Sequence, residues 1–414
     1  MKNRVAVIGA GIAGTMTAYT LLKKGHDVTI IDYRRYPAMA TSYANGGQLS
    51  ASNSETWNTS KNLVSGIKWM FAKDAPLLFN PSPEIQKYKW MMGFIFATLK
   101  REHKKNTLKT IDLAKIARDI YFKIADEEKI EFDLLKRGIL RFYDCKKEFK
   151  LDKNKISWLD QEGMEWKVLT TEEVKQIEPA FKNNNNYKSI LGGIYTKSDA
   201  SGDIHKFCIN LEKVLVEKYG ADLRLNTRVR HITRKKNELV LTMLAENQIF
   251  NERFDNIVIC AGVGTQKLAN NLGDKMNVYP VKGYSITIDL EDEISKECAP
   301  TVALIDQPVK IVTSRLGDRF RVAGTAELAG INTDIRQDRI KPLLEWVKKY
   351  FPNVSTENYT PWAGLRPMTP NMMPITKESN VKGVYYHAGH GHLGWTLSAA
   401  TAKIVSDKIE GITN

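Results

Sequence analysis

The sequence predicts a fold of class α/β plus α+β, in which a second domain is inserted between pieces of the first. Residues 5–32 follow the order strand, glycine-rich turn, helix and strand, which is typical of a parallel βαβ unit. Near the other end of the chain, at 386–396, a strand again joins a helix through a glycine-rich turn. We therefore expect one ligand-binding domain assembled from both ends of the chain. The inserted domain should be built on a mixed or antiparallel sheet with helices.

The remaining elements follow from the spacing of the apolar residues. One helix should open at Thr170, where an N-cap threonine is followed by Glu172 and Glu173, and it should end at Glu178. In chain order we predict strand 5–8, helix 15–24, strand 27–32, helical segment 59–136, strand 138–143, helix 170–178, helix 204–219, strands 222–225, 238–244 and 256–260, antiparallel strands 283–289 and 320–324, helix 340–350, strand 384–387 and helix 394–410.

The net charge and the cysteine spacing limit the binding partners and the kinds of site that we expect. The chain has 61 Lys and Arg against 47 Asp and Glu, a formal net charge of +14. Such a basic surface suits nucleic acid, an acidic membrane or an anionic substrate, and it equally suits a merely lysine-rich proteome. The four cysteines form no Cys-x-x-Cys pair, so we expect neither a metal site nor a dithiol redox centre. A reducing, cytoplasmic location is the expectation.

One segment has the composition of a membrane surface. No apolar run reaches the roughly 18 residues that span a bilayer, and the nearest run, 90–99, is shorter. Between residues 67 and 99, however, apolar and aromatic side chains stand among lysines, which suits an interface. The alternative is a buried helix. Peripheral contact with the inner face of the cytoplasmic membrane is therefore a hypothesis.

A G-x-G-x-x-G motif follows the first strand and opens the first helix. Its residues are Gly9, Ala10, Gly11, Ile12, Ala13 and Gly14. Gly9 makes the tight turn, Gly11 lets the backbone approach a pyrophosphate, and Gly14 lets helix and strand pack closely. Asp32, which lies 23 residues after Gly9, can accept hydrogen bonds from ribose hydroxyls and disfavours a 2′-phosphate. The motif predicts a dinucleotide, and it fits FAD and NAD equally well.

Two further segments favour FAD. Short polar residues and paired glycines at 41–48 suit a loop that approaches a ligand closely, and 386–396 supplies a second cradle of backbone amides. Because a single nicotinamide site does not need two cradles, we predict a Rossmann-type FAD-binding domain. We assign to it residues 1–60, 196–278 and 355–414, and we assign 61–195 and 279–354 to a substrate domain.

These features resemble the glycine oxidase and D-amino-acid oxidase flavoprotein superfamily, and within it the bacterial D-amino-acid dehydrogenases. The resemblance covers nearly the whole chain. It rests on the stretches VAVIGAGIAGTMTAYTLLKKGHDVTIID, TSYANGGQLS, IKWMFAKDAPL, DASGDIHKF, ICAGVGTQKL, YPVKGYSIT, AGLRPMTP and GHGHLGWTLS. KWMFAKDAPL and RPMTP are fairly specific to the dehydrogenases and to close relatives acting on other amines or opines.

The resemblance implies oxidative deamination of D-amino acids to 2-oxo acids and ammonia, by hydride transfer to flavin N5, with the electrons passed to a quinone or another carrier. It places Gly9, Gly11, Gly14 and Asp32 around the ADP half of FAD. It also assigns Ser42, Asn45, Gly46 and Gly47 to the pyrophosphate and flavin, Val229, Ala261 and Gly262 to the adenine side, and Gly391, His392, Leu393, Gly394 and Thr396 to the isoalloxazine.

Two departures from the family pattern concern the substrate. After RPMTP an aspartate and a glycine usually follow, whereas this chain continues with Asn371, Met372 and Met373. His392 stands where a small residue is common. Both changes fall near the expected pocket, so they bear on the identity of the substrate much more than on FAD binding.

Oxidation at the α-carbon requires the substrate carboxylate to be held in place, and an arginine fork binds it in two places. We predict Arg366 for this role, with a surface ion pair as the alternative. Tyr284 is a candidate hydrogen-bond donor to the carboxylate or the amine, unless it packs in the core. Lys282 is a candidate for holding a water near N5. His390 and His392 are expected at the flavin edge, as pocket walls or as partners of the reduced flavin.

Three alternatives remain open at this point. In the first, the substrate is another small amine, such as glycine, sarcosine, D-proline or an opine. In the second, the chain is an FAD protein that acts on RNA; basic residues are scattered rather than gathered into a stripe, so we expect no nucleic-acid partner. In the third, it is an inactive paralogue. The sequence leaves the exact substrate, the choice between oxygen and quinone, and the oligomeric state undetermined.

Overall fold

The computed structural model describes residues 2–69, 77–159, 163–183, 189–235 and 238–412. The helices are α1 (Ile12–Lys23), α2 (Ser60–Trp69), α3 (Ile85–Leu99), α4 (His103–Glu128), α5 (Lys146–Leu159), α6 (Thr171–Ile177), α7 (Ile204–Glu217), α8 (Thr265–Asn271), α9 (Glu293–Cys298), α10 (Gln337–Tyr350) and α11 (Gly394–Ile409). The strands are β1 (Arg4–Ile8), β2 (Asp27–Ile31), β3 (Gln48–Leu49), β4 (Leu77–Phe79), β5 (Ile139–Tyr143), β6 (Trp166–Leu169), β7 (Gly192–Thr196), β8 (Ala200–Ser201), β9 (Asp222–Arg224), β10 (Arg228–Lys235), β11 (Glu238–Ala245), β12 (Gln248–Phe254), β13 (Asn256–Ile259), β14 (Tyr279–Asp289), β15 (Ala303–Asp306), β16 (Ile311–Leu316), β17 (Arg319–Leu328), β18 (Tyr359–Met368), β19 (Ile375–Glu378) and β20 (Val384–Ala388).

The first sheet has the strand order β19-β20-β13-β1-β2-β9 and is parallel apart from its edge strand β19. The central strand β1 is apolar and buried on both faces, as expected of a parallel strand covered from two sides. Val5 and Val7 face a core formed with α1 and α11. Ala6 and Ile8 face the small antiparallel sheet β10-β11-β12. This layered unit is the dinucleotide-binding part that the glycine motif predicts.

The second sheet has the order β18-β14-β17-β16-β15-β5-β7-β6, with β4 beside β17. Most of its pairs are antiparallel, while β15 with β5 and β17 with β4 are parallel. Helix α10 packs its buried residues Ile340, Leu343 and Val347 into the core of this sheet. The predicted class, α/β plus α+β with a mixed second sheet, is confirmed.

The observed element boundaries differ from the predicted ones for identifiable reasons. The first helix begins at Ile12, before the predicted Thr15, because Gly11 is already its N-cap. The segment 59–136 contains α2, α3 and α4 together with β4, rather than continuous helix. Strand β18 falls inside the predicted 355–414 part of the FAD-binding domain but pairs with β14 of the second sheet. The domain limits therefore stay a prediction.

Two smaller predictions concern local structure and the membrane. Thr170 forms the N-cap of α6: its side chain accepts from the amide of Glu173, whose carboxylate accepts from the amide of Thr170. Within the described ranges, no helix combines the length and the apolar character needed to cross a bilayer. Residues 70–76, which belong to the predicted membrane surface, lie outside the described residues.

Candidate active site

A cleft of about 1900 Å³ opens between the two sheets, at the carboxyl ends of β1 and β13. In open α/β sheets, ligands bind at this edge. The predicted site residues line the cleft, with the exceptions of Ala10, Gly14 and Lys282. Segments from both ends of the chain therefore meet around one cavity.

The turn after β1 has a shape that only glycine allows. Gly9 has φ +115°, and a Cβ atom there would lie 2.6 Å from the carbonyl oxygen of Cys260. A Cβ on Gly14 would lie 1.7 Å from the carbonyl oxygen of Gly9, so Gly14 serves the packing of α1 on β1 rather than the wall of the cleft. The amide of Ala10 donates to Asp32 Oδ2 at 2.8 Å. This turn directs the N-terminus of α1 into the cleft, which fits a pyrophosphate.

A second loop completes the phosphate side of the cleft. Ser42 Oγ accepts a hydrogen bond from the amide of Ile12 at 3.2 Å, which ties the loop to the start of α1. Asn45 Oδ1 accepts from the amide of Gly47 at 2.9 Å, and Gly47 has φ +68°. Its neighbour Gly46 lines the cleft beside it. The loop thus presents polar side chains and bare backbone to the same space as α1.

The C-terminal turn forms the opposite cradle. Gly389 and Gly391 have φ +72° and +59°, in the left-handed region that favours glycine. A Cβ on Gly391 would lie 2.7 Å from Met368 Sδ. The turn continues into α11, whose first residues, Gly394 and Thr396 among them, line the cleft. The turn therefore offers a second surface of close-approach backbone.

At its far end the cleft is lined by Val229, Ala261 and Gly262. The pairing of β10 with β11 is irregular between Val229 and His231, and Gly262 has φ +54°. Irregular backbone of this kind leaves amide groups outside the strand ladder, where a ligand can bind them. With the two glycine turns and Asp32, this end forms one elongated surface that fits a dinucleotide of the length of FAD.

Two buried histidines brace the C-terminal turn from behind. His390 Nε2 and His387 Nε2 lie 3.0 and 2.7 Å from Thr401 Oγ1 on α11. His387 Nδ1 lies 2.8 Å from Thr17 Oγ1 on α1. Burial lowers the pKa of His390 to about 4, so its imidazole is neutral at neutral pH. His390, predicted to be catalytic, thus lines the cleft as an uncharged ring tied to α11.

Arg366 extends from β18 into the cleft. Its Nη1 donates to the carbonyl oxygen of Thr325 at 3.1 Å, and the described residues place no carboxylate within ion-pair distance of it. Burial lowers the pKa of Arg366 to about 10, which still leaves it charged at neutral pH. A buried cation without an acidic partner is costly unless a ligand supplies the anion.

Lys282 lies outside the lining of the cleft, and Tyr284, although it lines the cleft, has its hydroxyl bound to a carboxylate. The hydroxyl of Tyr284 donates to Glu327 Oε2 at 2.5 Å, and this carboxylate together with burial raises the pKa of the phenol. Lys282 Nζ lies 2.8 Å from Asn332 Oδ1 and 3.5 Å from Glu327 Oε2. Strand alternation directs Val281 to the cleft instead. The structure therefore brings neither polar group to Arg366.

His392 forms a wall with a residue that the sequence analysis missed. The rings of His392 and Trp57 are stacked, with centroids 4.5 Å apart and an interplanar angle of 26°. His392 Nδ1 is buried and has no hydrogen-bond partner among the residues that the structure describes. Burial, aided by the positive charges of Arg366 and Lys310, lowers the pKa of His392 to about 3. No local pattern singles out Trp57, since its position depends on the packing of the loop that precedes α2.

Of the two departures from the family pattern, only His392 belongs to the lining of the cleft. Met372, with φ +64°, is buried in an apolar cluster with Trp90 and Met368, and Asn371 Oδ1 accepts from the amide of Met373 at 3.3 Å. This segment is thus a turn packed behind the pocket. Its altered sequence therefore lies outside the lining of the cleft.

Comparison with known proteins supports the assignment of the fold and the cofactor. The profile of the DAO family, FAD dependent oxidoreductase, matches residues 4–408. The chain is 48% identical over 406 residues to D-amino acid dehydrogenase 3 of Mesorhizobium japonicum, covering 97% of this chain and 96% of that one. It is 33% identical to D-amino acid dehydrogenase of Dechloromonas aromatica, covering 99% and 97%.

Among solved structures, glycine oxidase from Bacillus cereus superposes with a TM-score of 0.76 at 21% identity, covering 100% of this chain and 96% of that one. At this identity the likeness concerns the fold alone. The profile spans nearly the whole chain, and the glycine turns that it covers form the cleft described above. The chain therefore belongs to the DAO family of FAD-dependent oxidoreductases.

Proposed function

We propose that this oxidoreductase deaminates D-amino acids oxidatively to 2-oxo acids and ammonia, and that it passes the electrons to a quinone or a similar carrier. The observation that carries the substrate class is Arg366, a cation in the cleft without an acidic partner among the described residues. The relatives named as D-amino acid dehydrogenases support the same substrate class. FAD, when bound, would accept the two electrons removed from the carbon–nitrogen bond.

The chain's own residues would position the substrate. Arg366 would bind the carboxylate with two parallel hydrogen bonds, which fixes the orientation of the α-carbon. The uncharged rings of His390 and His392 would line the pocket without adding positive charge beside Arg366. The substrate amine would therefore face a pocket wall that does not repel it. We assign no general base, because an amine can bind in its neutral form.

Anaerobic reduction of the bound flavin tests this proposal directly. The purified protein should be yellow, and D-alanine should bleach the oxidised flavin band, whereas L-alanine should not. Arg366→Leu should keep the colour and lose bleaching at D-alanine concentrations that saturate the unaltered enzyme. We expect a weakening of about 100-fold or more, because hydrogen bonds to charged groups contribute about 1.5–3 kcal/mol each. Arg366→Lys, which keeps the charge and loses the fork, should lie between the two.

The alternatives give different results in the same assay. Bleaching by glycine, sarcosine, D-proline or an opine in place of D-alanine would move the substrate to another small amine. Salt-sensitive retention on RNA without turnover of any amine would favour the RNA hypothesis. A yellow protein that no amine reduces would support the inactive paralogue.

A second observation supports peripheral contact with the cytoplasmic membrane. Helix α3 exposes a stripe of large apolar side chains to solvent: Ile85, Tyr88, Met92, Phe96 and Leu99. Their spacing of three and four residues places them on one face of the helix. Lys89 and Lys100, both exposed, flank the stripe and suit anionic lipid headgroups. Such a helix would lie in the plane of the interface.

Vesicle sedimentation tests the membrane contact. The protein should cosediment with vesicles that contain anionic phosphatidylglycerol and less with neutral vesicles. Phe96→Asn should weaken that binding, because Phe96 is 58% exposed. Equal sedimentation of the variant and the unaltered protein would argue against this surface. Fast peroxide formation from D-alanine and oxygen would argue against a quinone as the acceptor.

A further inference from the structure

The wall of the cleft changes in chemical character from one side to the other. Around α3 the lining is apolar: Met91, Phe94 and Ile95 contribute side chains, and Leu328 at the end of β17 faces them. Met91, Phe94 and Leu328 belong to one hydrophobic cluster, together with Trp90. We call this part of the cleft the apolar arm. Such a surface offers no partners to the charges of a zwitterion.

The opposite side is lined by acidic and basic side chains. Lys155 Nζ lies 3.0 Å from Glu55 Oε2 and 3.3 Å from Asp152 Oδ1, and His103 Nε2 lies 3.2 Å from Glu55 Oε1. Although burial alone would raise it, the neighbouring His103 and Lys155 bring the pKa of Glu55 down to about 2. Lys310 lines the same side. This part, which we call the charged arm, is a polar surface that offers partners to the charges of a zwitterion.

The loop before α2 separates the two arms. Trp57 packs with the apolar cluster of α3 and stacks on His392. Glu55, only two residues earlier, belongs to the ion pairs of the charged arm. Both residues line the cleft. The flavin cradle at His392 therefore stands where the apolar arm and the charged arm meet.

We propose that the apolar arm is a binding channel for a lipophilic quinone, separate from the polar route by which the amino acid reaches Arg366. The inference rests on the proposed function for the donor and for the class of the acceptor, and it adds the place where that acceptor binds. Oxidation of the amine to an imine releases two electrons and two protons, and a quinone takes up two of each to become a hydroquinone. The alkyl tail of such an acceptor would lie along Met91, Phe94 and Ile95.

Helix α3 connects this channel to the exposed stripe. Phe94 faces the cleft, whereas Phe96 on the other face of the same helix is 58% exposed. One helix thus carries an apolar inner face toward the cofactor cleft and an apolar outer face suited to lipid. A quinone dissolved in a bilayer would meet both faces without crossing bulk water.

A matched pair of substitutions tests the channel. Phe94→Asn and Phe96→Asn make the same chemical change two residues apart on one helix. Binding of a decyl-substituted benzoquinone to the holoenzyme in detergent is followed by quenching of tryptophan fluorescence, which requires no turnover. We expect Phe94→Asn to raise the dissociation constant by about 10-fold or more, the loss expected when an aromatic contact with the tail is removed. Phe96→Asn should leave it unchanged.

The amino-acid half of the reaction provides the control. Anaerobic bleaching by D-alanine should be the same in the Phe94→Asn variant and the unaltered protein, because the amino acid uses the polar route. If Phe94→Asn proves unstable, Met91→Gln takes its place, because glutamine has nearly the shape of methionine. Met91→Gln should also weaken decylquinone binding. Equal dissociation constants in all variants, or equal losses at Phe94 and Phe96, would overturn the channel. Absence of bleaching by any D-amino acid would overturn the proposed function and leave the quinone titration interpretable.

Discussion

The guanidinium of Arg366 lies directly over Gly283 on the neighbouring strand, where a Cβ atom would come within 2.3 Å of Cζ. The two strands pair so that Gly283 stands opposite Gly364, and Val281 opposite Arg366. The absence of a side chain at Gly283 is therefore what lets the arginine lie against the sheet. A buried guanidinium held in one place is a better carboxylate clamp than a mobile one.

Gly283→Ala should displace Arg366 and weaken D-amino-acid binding without loss of FAD. The expected cost is about 10-fold or more in the substrate concentration needed for half-maximal bleaching, because a shift of about 1 Å in a positioning group has effects of this order or larger. In a double-mutant cycle with Arg366→Leu, the two changes should be strongly non-additive. Additive losses would show that Gly283 acts on the site by another route.

Gly14→Ala should abolish stable FAD binding. The added Cβ would lie 1.7 Å from the backbone of Gly9, so the strand, the turn and α1 cannot keep their positions. Flavin absorbance per protein after purification measures the effect, and we expect less than about a tenth of the normal content. Gly66→Ala, on helix α2, is the matched control, since its Cβ would meet Leu77 Cδ2 at an ordinary 3.9 Å. Equal flavin content in both variants would contradict the packing argument.

The stability of the protein should fall as the pH is lowered from about 6.5 toward 4. Burial depresses the pKa of His390 in the folded state below that of the unfolded chain, so the unfolded state binds more protons in this window. Each such histidine contributes a slope of up to about 1.4 kcal/mol per pH unit. Urea unfolding at several pH values measures the slope, which should be smaller in His390→Gln. An unchanged slope would mean that His390 is not buried in the neutral form.

His392→Thr should widen the substrate preference of the flavin-loaded enzyme. Removing the ring that stacks on Trp57 frees space on the wall next to Arg366. The ratio of kcat/KM for D-phenylalanine to that for D-alanine should rise by about 10-fold, within the range that small changes of pocket volume produce. Trp57→Phe, which keeps an aromatic partner for His392, serves as the control. A ratio that stays constant would place this wall away from the substrate side chain.

The sequence predicts well those parts of the site that depend on a short stretch of chain. The turn from Gly9 to Gly14 and the acid at Asp32 follow from a short spacing along the chain, and the structure places them around one cleft. Arg366 could be predicted because carboxylate recognition requires its functional group. The orientation of Lys282 and Tyr284 could not, since both faces of β14 are buried and alternation alone does not say which face meets the cleft.

Other parts of the site arise only from tertiary packing. Trp57 reaches His392 from a loop more than three hundred residues earlier in the chain. The apolar arm depends on which side of α3 faces β17, whereas the sequence shows α3 only as a run of apolar residues. Likewise, β18 pairs with β14 and so places Arg366 in the second sheet. The next two strands along the chain, β19 and β20, belong to the first sheet.

The meeting of the two chain ends has a consequence for biogenesis. Strands β1 and β20 flank β13 in the first sheet, and α1 packs against α11. During translation the early glycine turn leaves the ribosome long before its partner at the C-terminal end. A nascent polypeptide therefore lacks the second glycine turn of the cofactor cleft until α11 has left the ribosome. Flavin loading becomes a late maturation step, and truncated translation products would remain colourless substrates for quality-control proteases.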